Sequence, residues 1–542
     1  MDAWWHGAVI YSVYPRSFMD SNGDGIGDIP GLIAKLDYIA ALGIDAIWLA
    51  PVSTSPMHDF GYDVSNFTDI DPSFGDLDDF DALLARAHDL DIKIILDQVY
   101  SHTSSDHPWF RESRADRNSA RADWYVWADP KPDGSPPNNW LAVFGGSAWA
   151  WDSGRAQYYL HNFLIEQPDL NMHNEDVQAE ILKAMQFWLE RGVDGFRLDS
   201  PNFFMHDPLL RDNPPAKVER PVKAYQMQDH IYDRGRPENM AFIAQLRALS
   251  DRYDKRLLLA ELSDERPFEA MKEYTGHNDT FHTGYNYLLL GAEFDAARIR
   301  ASVEKMFNTL GPDAWPTWAF STHDVVRVAS RWTPKGLPGQ WTQTLLAFLT
   351  SLRGPVLLYQ GEELGLTQTE MTKNEVQDPE GKAFWPLRKG RDGERTPMPW
   401  QKNSPHAGFT TGTPWLRADP AHRVLAVDVQ SQDDQSMLSF ARNWLGWRER
   451  HPALVKGSTK FCDSPEGTLC IVREVASERC YVFVNLSDTH ISMPQPFAGE
   501  ASDIFAFGGA LESGSVHLPA GAGIAVVAPC VADFGPQYSS AY

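Results

Sequence analysis

The feature that most constrains this chain is a repeated unit: an amphipathic helix, a short break, and an apolar strand whose last residues are polar. In the first unit Leu32, Ile33, Leu36 and Ile39 recur at helical spacing, Gly43 supplies a helix stop, and residues 44–51 read as the strand. In the second, Phe80, Leu83, Leu84 and Ala87 precede a strand over 92–97 that ends on Asp97. In the third, Val177, Ile181, Leu182, Trp188 and Leu189, closed by Gly192, lead into residues 193–199 and end on Asp199. Strands of the same kind are read over 257–261, 318–324 and 355–360. Fully apolar strands alternating with helices belong to a parallel sheet, whose carboxyl ends carry the functional groups. The 542 residues predict an α/β fold, a (β/α)8 TIM barrel with smaller modules; a doubly wound open sheet is the competing arrangement.

Two interruptions break the rhythm. Residues 103–172 are rich in Pro, Gly, Asn, Trp and Asp and lack helical periodicity, which predicts a subdomain inserted after strand three. Residues 366–415 are too long for an ordinary connection and read as a functional loop over the barrel mouth. Beyond a helical pattern at 437–449 come short alternating strands such as 480–485. The predicted division is a barrel over 1–102 and 173–452, an insertion over 103–172, and a C-terminal antiparallel β-sandwich over 453–542. Cys462, Cys470, Cys480 and Cys530 lack CxxC spacing and are expected to be free thiols. A formal net charge of -25 argues against nucleic acid as a partner. With no apolar run of about 18 residues and no basic leader, no membrane association is expected, and the cytoplasm is the expected location.

The strand ends carry short motifs in a fixed order: Asp97-Gln98-Val99-Tyr100-Ser101-His102, Gln167-Pro168-Asp169-Leu170-Asn171, Gly195-Phe196-Arg197-Leu198-Asp199, Ala260-Glu261 and Thr322-His323-Asp324. Together they resemble glycoside hydrolase family 13, the α-amylase superfamily, and within it the α-glucosidase and oligo-1,6-glucosidase branch. The resemblance implies a retaining, exo-acting enzyme that removes single glucose units from the non-reducing end of short α-glucosides. Such chemistry needs a carboxylate to attack the anomeric carbon and an acid to protonate the departing oxygen, the two carboxyls roughly 5 to 5.5 Å apart. By the resemblance Asp199 attacks, Glu261 is the acid/base, and Asp324 steadies the distorted sugar. Arg197 shares a strand face with Asp199 and can hold it ionised; taken alone, the two could be a plain ion pair. His102 and His323 are expected to donate to glucose hydroxyls. In Asp59-Phe60-Gly61-Tyr62-Asp63 the resemblance assigns Asp59 to the terminal glucose and Tyr62 to its ring face. In Arg395-Thr396-Pro397-Met398-Pro399-Trp400 it assigns Arg395 to pair with Asp59, closing the site behind one glucose. Phe144, Phe163 and Trp149 either wall that pocket or pack in a core.

Asp20, Asn22, Asp24 and Asp28 alternate oxygen-bearing side chains in a tight loop, to which the Ile26 carbonyl adds a further donor. Gly31 stands where an EF-hand needs its bidentate Glu, so the closer likeness is to the family's structural Ca²⁺ or Mg²⁺ loop; an ion-free Asx-turn loop is the alternative. No organic cofactor is expected. Ser101 and Thr322 stand where many relatives carry Asn, which bears on hydroxyl recognition. Ser200, directly after Asp199, is nearer to the Thr that accompanies α-1,4 activity in the branch than to the Val that accompanies α-1,6, and favours maltose-like substrates. The alternatives are transglucosylation to sugar or alcohol acceptors and hydrolysis of sucrose or α-1,6-glucosides. Sucrose isomerisation is disfavoured because Arg388-Lys389-Gly390-Arg391-Asp392 replaces the expected Arg-Leu-Asp-Arg-Asp. A noncatalytic binding relative would have lost its carboxylates, and all three are present here.

Overall fold

The computed structural model describes residues 3–291, 294–334 and 338–529. Eight parallel strands, β1 (Val9–Val13), β2 (Ala46–Leu49), β3 (Lys93–Gln98), β4 (Gly195–Leu198), β5 (Leu257–Leu262), β6 (Thr283–Asn286), β7 (Trp318–Ala319) and β8 (Val356–Tyr359), run in the order β6-β5-β4-β3-β2-β1-β8-β7. Between β6 and β7 the ring is completed by the Thr317 N–H, which donates to the Gly284 carbonyl at 2.9 Å, and by the Thr283 and Thr317 hydroxyls, 2.8 Å apart.

Strand alternation separates two layers of core. Ile10, Ala46, Trp48, Ile95, Leu257, Leu259, Tyr285, Ala319 and Leu357 pack together inside the ring. Their neighbours in sequence, among them Ile47, Ile94, Leu96, Phe196, Leu258 and Leu358, face the surrounding helices. This is what period-2 side-chain direction produces when both faces of a sheet are covered. The helix Leu77–Asp89 starts on a capping box from Asp76 and Asp79, and Glu175–Arg191 ends on Gly192, at φ 106°, where a side chain would be strained.

The insertion differs from its sequence reading in one respect. Residues Pro108–Ala115 form a helix, started by the His107 ring, which accepts the Trp109 N–H at 3.1 Å. Its eight residues are too short to establish a period among so many turn formers. The rest of the insertion is a three-stranded antiparallel sheet of Trp127–Ala128, Trp149–Asp152 and Gln157–Leu160.

After the helix Met437–Glu449 come two antiparallel sheets. One orders β9 (Ser458–Cys462), β10 (Thr468–Val475), β11 (Glu478–Asn485), β16 (Gly523–Ala528) and β13 (Asp503–Phe507); the other orders β12 (Ile491–Pro494), β15 (Ser515–Leu518) and β14 (Ala510–Glu512). Tyr481, Phe483, Ile524 and Val526 from the first pack against Met493, Val516 and Leu518 from the second. Cys462 and Cys470 are free thiols, Cys480 is buried in β11, and Cys530 lies outside the described residues.

Candidate active site

The carboxyl ends of the strands converge on Arg197, which is fully buried in β4. Asp97 is its register partner on β3, and Leu259 its partner on β5, two residues before Glu261. One guanidinium amino group, Nη1, reaches Asp97 Oδ1 at 2.9 Å and Asp199 Oδ1 at 2.7 Å, while the other, Nη2, lies 2.6 Å from Glu261 Oε2. A planar fork whose charge cannot be lost thus holds the two candidate catalytic carboxylates side by side. Trp48 covers its face, with the ring 4.9 Å away.

Burial pushes Asp199 well above the usual carboxylate range, and the charges of Glu261 and Asp97 push the same way against the pull of Arg197. Burial also raises Asp97, to about 6. Ser200, next to Asp199, is in the left-handed region at φ 39°, and its N–H and hydroxyl lie 3.3 and 3.4 Å from Glu261 Oε2. The turn that exposes Asp199 thus also supports Glu261.

Asp199, Ser200 and Glu261 line a cavity of about 500 Å³, together with Asp59, Tyr62, His102, Phe144, Phe163, Gln167 and Asp324. His102 is held by Ser101, whose hydroxyl is 2.9 Å from Nδ1, and by the Tyr62 carbonyl, 2.9 Å from Nε2; burial lowers it to about 4, so the ring is neutral near pH 7. Asp324 sits well below the usual range, burial being outweighed by His323, Arg395 and Arg391.

Three expected substrate contacts lie behind the wall instead. Arg197 is sealed by the carboxylates it organises. The His323 ring is buried, its Nε2 2.6 Å from the Tyr62 hydroxyl and 3.2 Å from Asp324 Oδ2, so it supports these two rather than reaching the cavity. Arg395 does not pair with Asp59: it donates to the His323 carbonyl at 2.7 Å and to Asp324 Oδ1 at 2.8 Å. The partner of Asp59 is Arg391, 2.7 Å from its Oδ1, which also meets Asp324 Oδ1 at 3.2 Å and Asp378 Oδ1 at 2.7 Å. Arg391 escaped sequence reading although it lies beside a turn glycine, Gly390 at φ 78°. Three residues separate it from Arg395, and nothing local distinguishes the one that leans across the cavity. Phe144 lies under Arg391, 5.2 Å from its guanidinium carbon. Trp149 is core: its ring stacks on Trp140 and its N–H donates to Asn138 at 2.7 Å.

Further lining residues that the sequence did not mark are Phe203, Lys223, Tyr225, Gln226, Arg234, Tyr287 and Glu380. Lys223, from the connection after β4, forms an ion pair with Glu380 from the long late loop, both largely buried. Both line the cavity.

In the 20–28 loop, Asp20 Oδ1 accepts the Asn22 and Gly23 N–H groups, and Oδ2 accepts Gly25 N–H and the Thr410 hydroxyl. Asn22 Oδ1 accepts Asp24 N–H and Asp24 Oδ1 accepts Ile26 N–H, both at 2.8 Å, leaving each oxygen a second lone pair. Asp28 Oδ2 accepts the Ser21 N–H and hydroxyl and Oδ1 the Gly31 N–H, so its oxygens are engaged in closing the loop; the carboxylate, amide and carbonyl oxygens present are of the kinds that a hard divalent cation takes. The Trp415 N–H donates to the Gly25 carbonyl, clasping this loop to the late loop.

Comparison with known proteins agrees with this geometry. The family model "Alpha amylase, catalytic domain" matches residues 12–457. A "Probable alpha-glucosidase" of Rhizobium meliloti is 51% identical over 494 residues, 90% of each chain, and an "Oligo-1,6-glucosidase" of Heyndrickxia coagulans 35% identical over 535 residues, 92% of this chain and 94% of the relative. Among solved structures, the alpha-glucosyl transfer enzyme XgtA superposes with a TM-score of 0.93 at 48% identity, covering 97% of this chain and 100% of the other. The trehalulose synthase MutB of Pseudomonas mesoacidophila gives 0.88 at 30% identity over the same shares.

Proposed function

Because the chain belongs to the alpha-amylase family, in its α-glucosidase branch, we propose that it is a retaining, exo-acting α-glucosidase that uses Asp199 as nucleophile and Glu261 as acid/base. The observation that carries this reading is the Arg197 fork, with Asp199 on one amino group and Glu261 on the other, at the wall of a cavity of about 500 Å³. Asp199 forms a bond to the anomeric carbon as the glycosidic bond breaks, and the Glu261 proton passes to the departing oxygen. Glu261 then takes a proton from water, whose oxygen displaces Asp199. Asp324, kept ionised by its cationic neighbours, faces the positive charge that develops on the sugar ring.

The Asp59–Arg391 pair reaches across one end of the cavity and supports recognition of a single terminal glucose. Ser200 favours α-1,4-linked, maltose-like substrates on the leaving-group side. Transfer to sugar or alcohol acceptors is the second reading, favoured by the likeness to a glucosyl transfer enzyme at 48% identity. The 20–28 loop is read as a structural Ca²⁺ or Mg²⁺ site built from Asp20, Asn22, Asp24, Asp28 and the Ile26 carbonyl; a bound cation there would neutralise the loop's carboxylates and fix its turn. The cytoplasm is the location we expect.

The test is to trap the covalent intermediate with a slow fluorinated glucosyl donor and map it by mass spectrometry, while following maltose hydrolysis by NMR. An adduct on Asp199 and α-glucose as first product are expected. An adduct elsewhere, or first-formed β-glucose, overturns the proposal. Glu261→Gln is expected to lose about 10²- to 10⁴-fold in maltose turnover.

A further inference from the structure

The two oxygens of Glu261 have different surroundings. Oε2 lies 2.6 Å from Arg197 Nη2 and near the Ser200 N–H and hydroxyl. Arginine only donates, so a proton on Oε2 would face the guanidinium, with only the Ser200 hydroxyl, at 3.4 Å, able to accept it. Oε1 faces two phenols, Tyr287 at 2.6 Å and Tyr285 at 3.2 Å. These are not equivalent. The Tyr285 oxygen receives Arg197 Nε at 3.3 Å and Nη2 at 3.0 Å, so both its lone pairs are engaged and its hydrogen is committed to Glu261. The Tyr287 hydroxyl carries no such load among the described residues, and its ring lines the cavity. It alone can accept a hydrogen bond from a protonated Oε1 and donate one back after that proton has left.

Resting on the α-glucosidase reading above, we propose that Tyr287 is a positioning residue for the acid/base: it keeps the proton of Glu261 on Oε1, the oxygen turned away from Arg197 and the one from which it is passed to the glycosidic oxygen. In the first step the Oε1–H bond breaks as the O–H bond of the departing alcohol forms, and the Tyr287 hydroxyl turns to donate to the new carboxylate. In the second step the carboxylate takes a proton from water or an acceptor alcohol and the phenol turns back. The tyrosine is neither oxidised nor ionised at any stage.

The test compares Tyr287→Phe with the unaltered enzyme on maltose, whose departing alcohol needs a proton, and on α-glucosyl fluoride, whose departing fluoride does not. The expected result is about a tenfold loss of kcat/KM on maltose, with the fluoride within about twofold, because only proton delivery is impaired. The basic limb of the maltose pH profile should also move upward, since the lost bond was strongest to the ionised form. Equal losses on both substrates with an unmoved limb would mean that Tyr287 only packs, and overturn the proposal; so would no loss on either. Glu261→Gln is run alongside. If it too loses both substrates equally, the acid assignment beneath the proposal has failed; if it spares the fluoride while Tyr287→Phe does not, only the proposal has.

Discussion

At the scale of single residues, the late loop carries two arginines whose tasks the structure separates. Arg391 spans Asp59, Asp324 and Asp378, whereas Arg395 is buried behind Asp324 and fixes it through Oδ1 and the His323 carbonyl. Arg391→Lys should therefore mainly weaken substrate binding, raising KM about ten- to a hundredfold, because lysine cannot fork between carboxylates. Arg395→Lys should mainly lower kcat. Steady-state kinetics on maltose would distinguish them, and a larger KM effect for Arg395→Lys would reverse the assignment. Burial raises Asp59 to about 6, so on acidification through that pH it takes up a proton and loses its attraction for Arg391. KM should accordingly rise below about pH 6, and Asp59→Asn should remove that dependence. Asp97, Asp199, Glu261 and Asp324 were legible in the sequence because each ends an apolar strand beside a recognisable motif. Arg391 and the Lys223–Glu380 pair were not, because they lie on long connections where position in space is set by tertiary contacts rather than by period or propensity; Tyr287 was not, because it directly follows β6, a strand with no apolar run.

At the scale of elements, β1 and β6 are the two barrel strands to which the sequence assigned no range, and β6 is the more instructive. β6, Thr283-Gly284-Tyr285-Asn286, has no apolar run because its threonine closes the ring and its tyrosine meets Arg197 and Glu261. The 20–28 loop makes a stronger connection than its local motif indicates. Asp20 bonds Thr410 and Gly25 bonds Trp415, while the Met398 N–H donates to the Ser17 carbonyl at 2.9 Å. A cation here would brace the loop that presents Arg391 and Arg395. Dialysis against chelator should lower Tm by several degrees and raise KM, and millimolar Ca²⁺ or Mg²⁺ should restore both, by an amount that follows ligand concentration. An unchanged Tm with no metal retained would favour the ion-free loop. Gly25, at φ 94°, has room for no side chain: a Cβ would lie 1.8 Å from the Thr413 carbonyl oxygen. Gly25→Ala should destabilise the protein whether or not metal is supplied.

At the scale of the whole molecule, one buried arginine ties the C-terminal sheets to the barrel, and a second ties the helix that precedes those sheets to the rest of the barrel. Arg473 of β10 donates to the Ser351 carbonyl at 2.7 Å, at the end of helix Pro338–Ser351, and to the Gly457 carbonyl at 2.9 Å. Arg448 donates to Thr350 at 2.7 Å and to Gly7 at 2.6 Å. Arg473→Met should lower Tm by a few degrees while leaving kcat/KM on maltose within about twofold, since the residue serves a helix end remote from the cavity. A large kinetic loss would show that the junction shapes the pocket. The bridge from Asp59 to Arg391 has a different kind of consequence, one of traffic. Where one end of a pocket is barred, everything must use the other. The severed alcohol has to leave before water or an acceptor can approach the bound sugar, and glucose is last out. An acceptor in excess then waits in the doorway that the next donor needs, so generous feeding of acceptor would slow the cycle it was meant to divert.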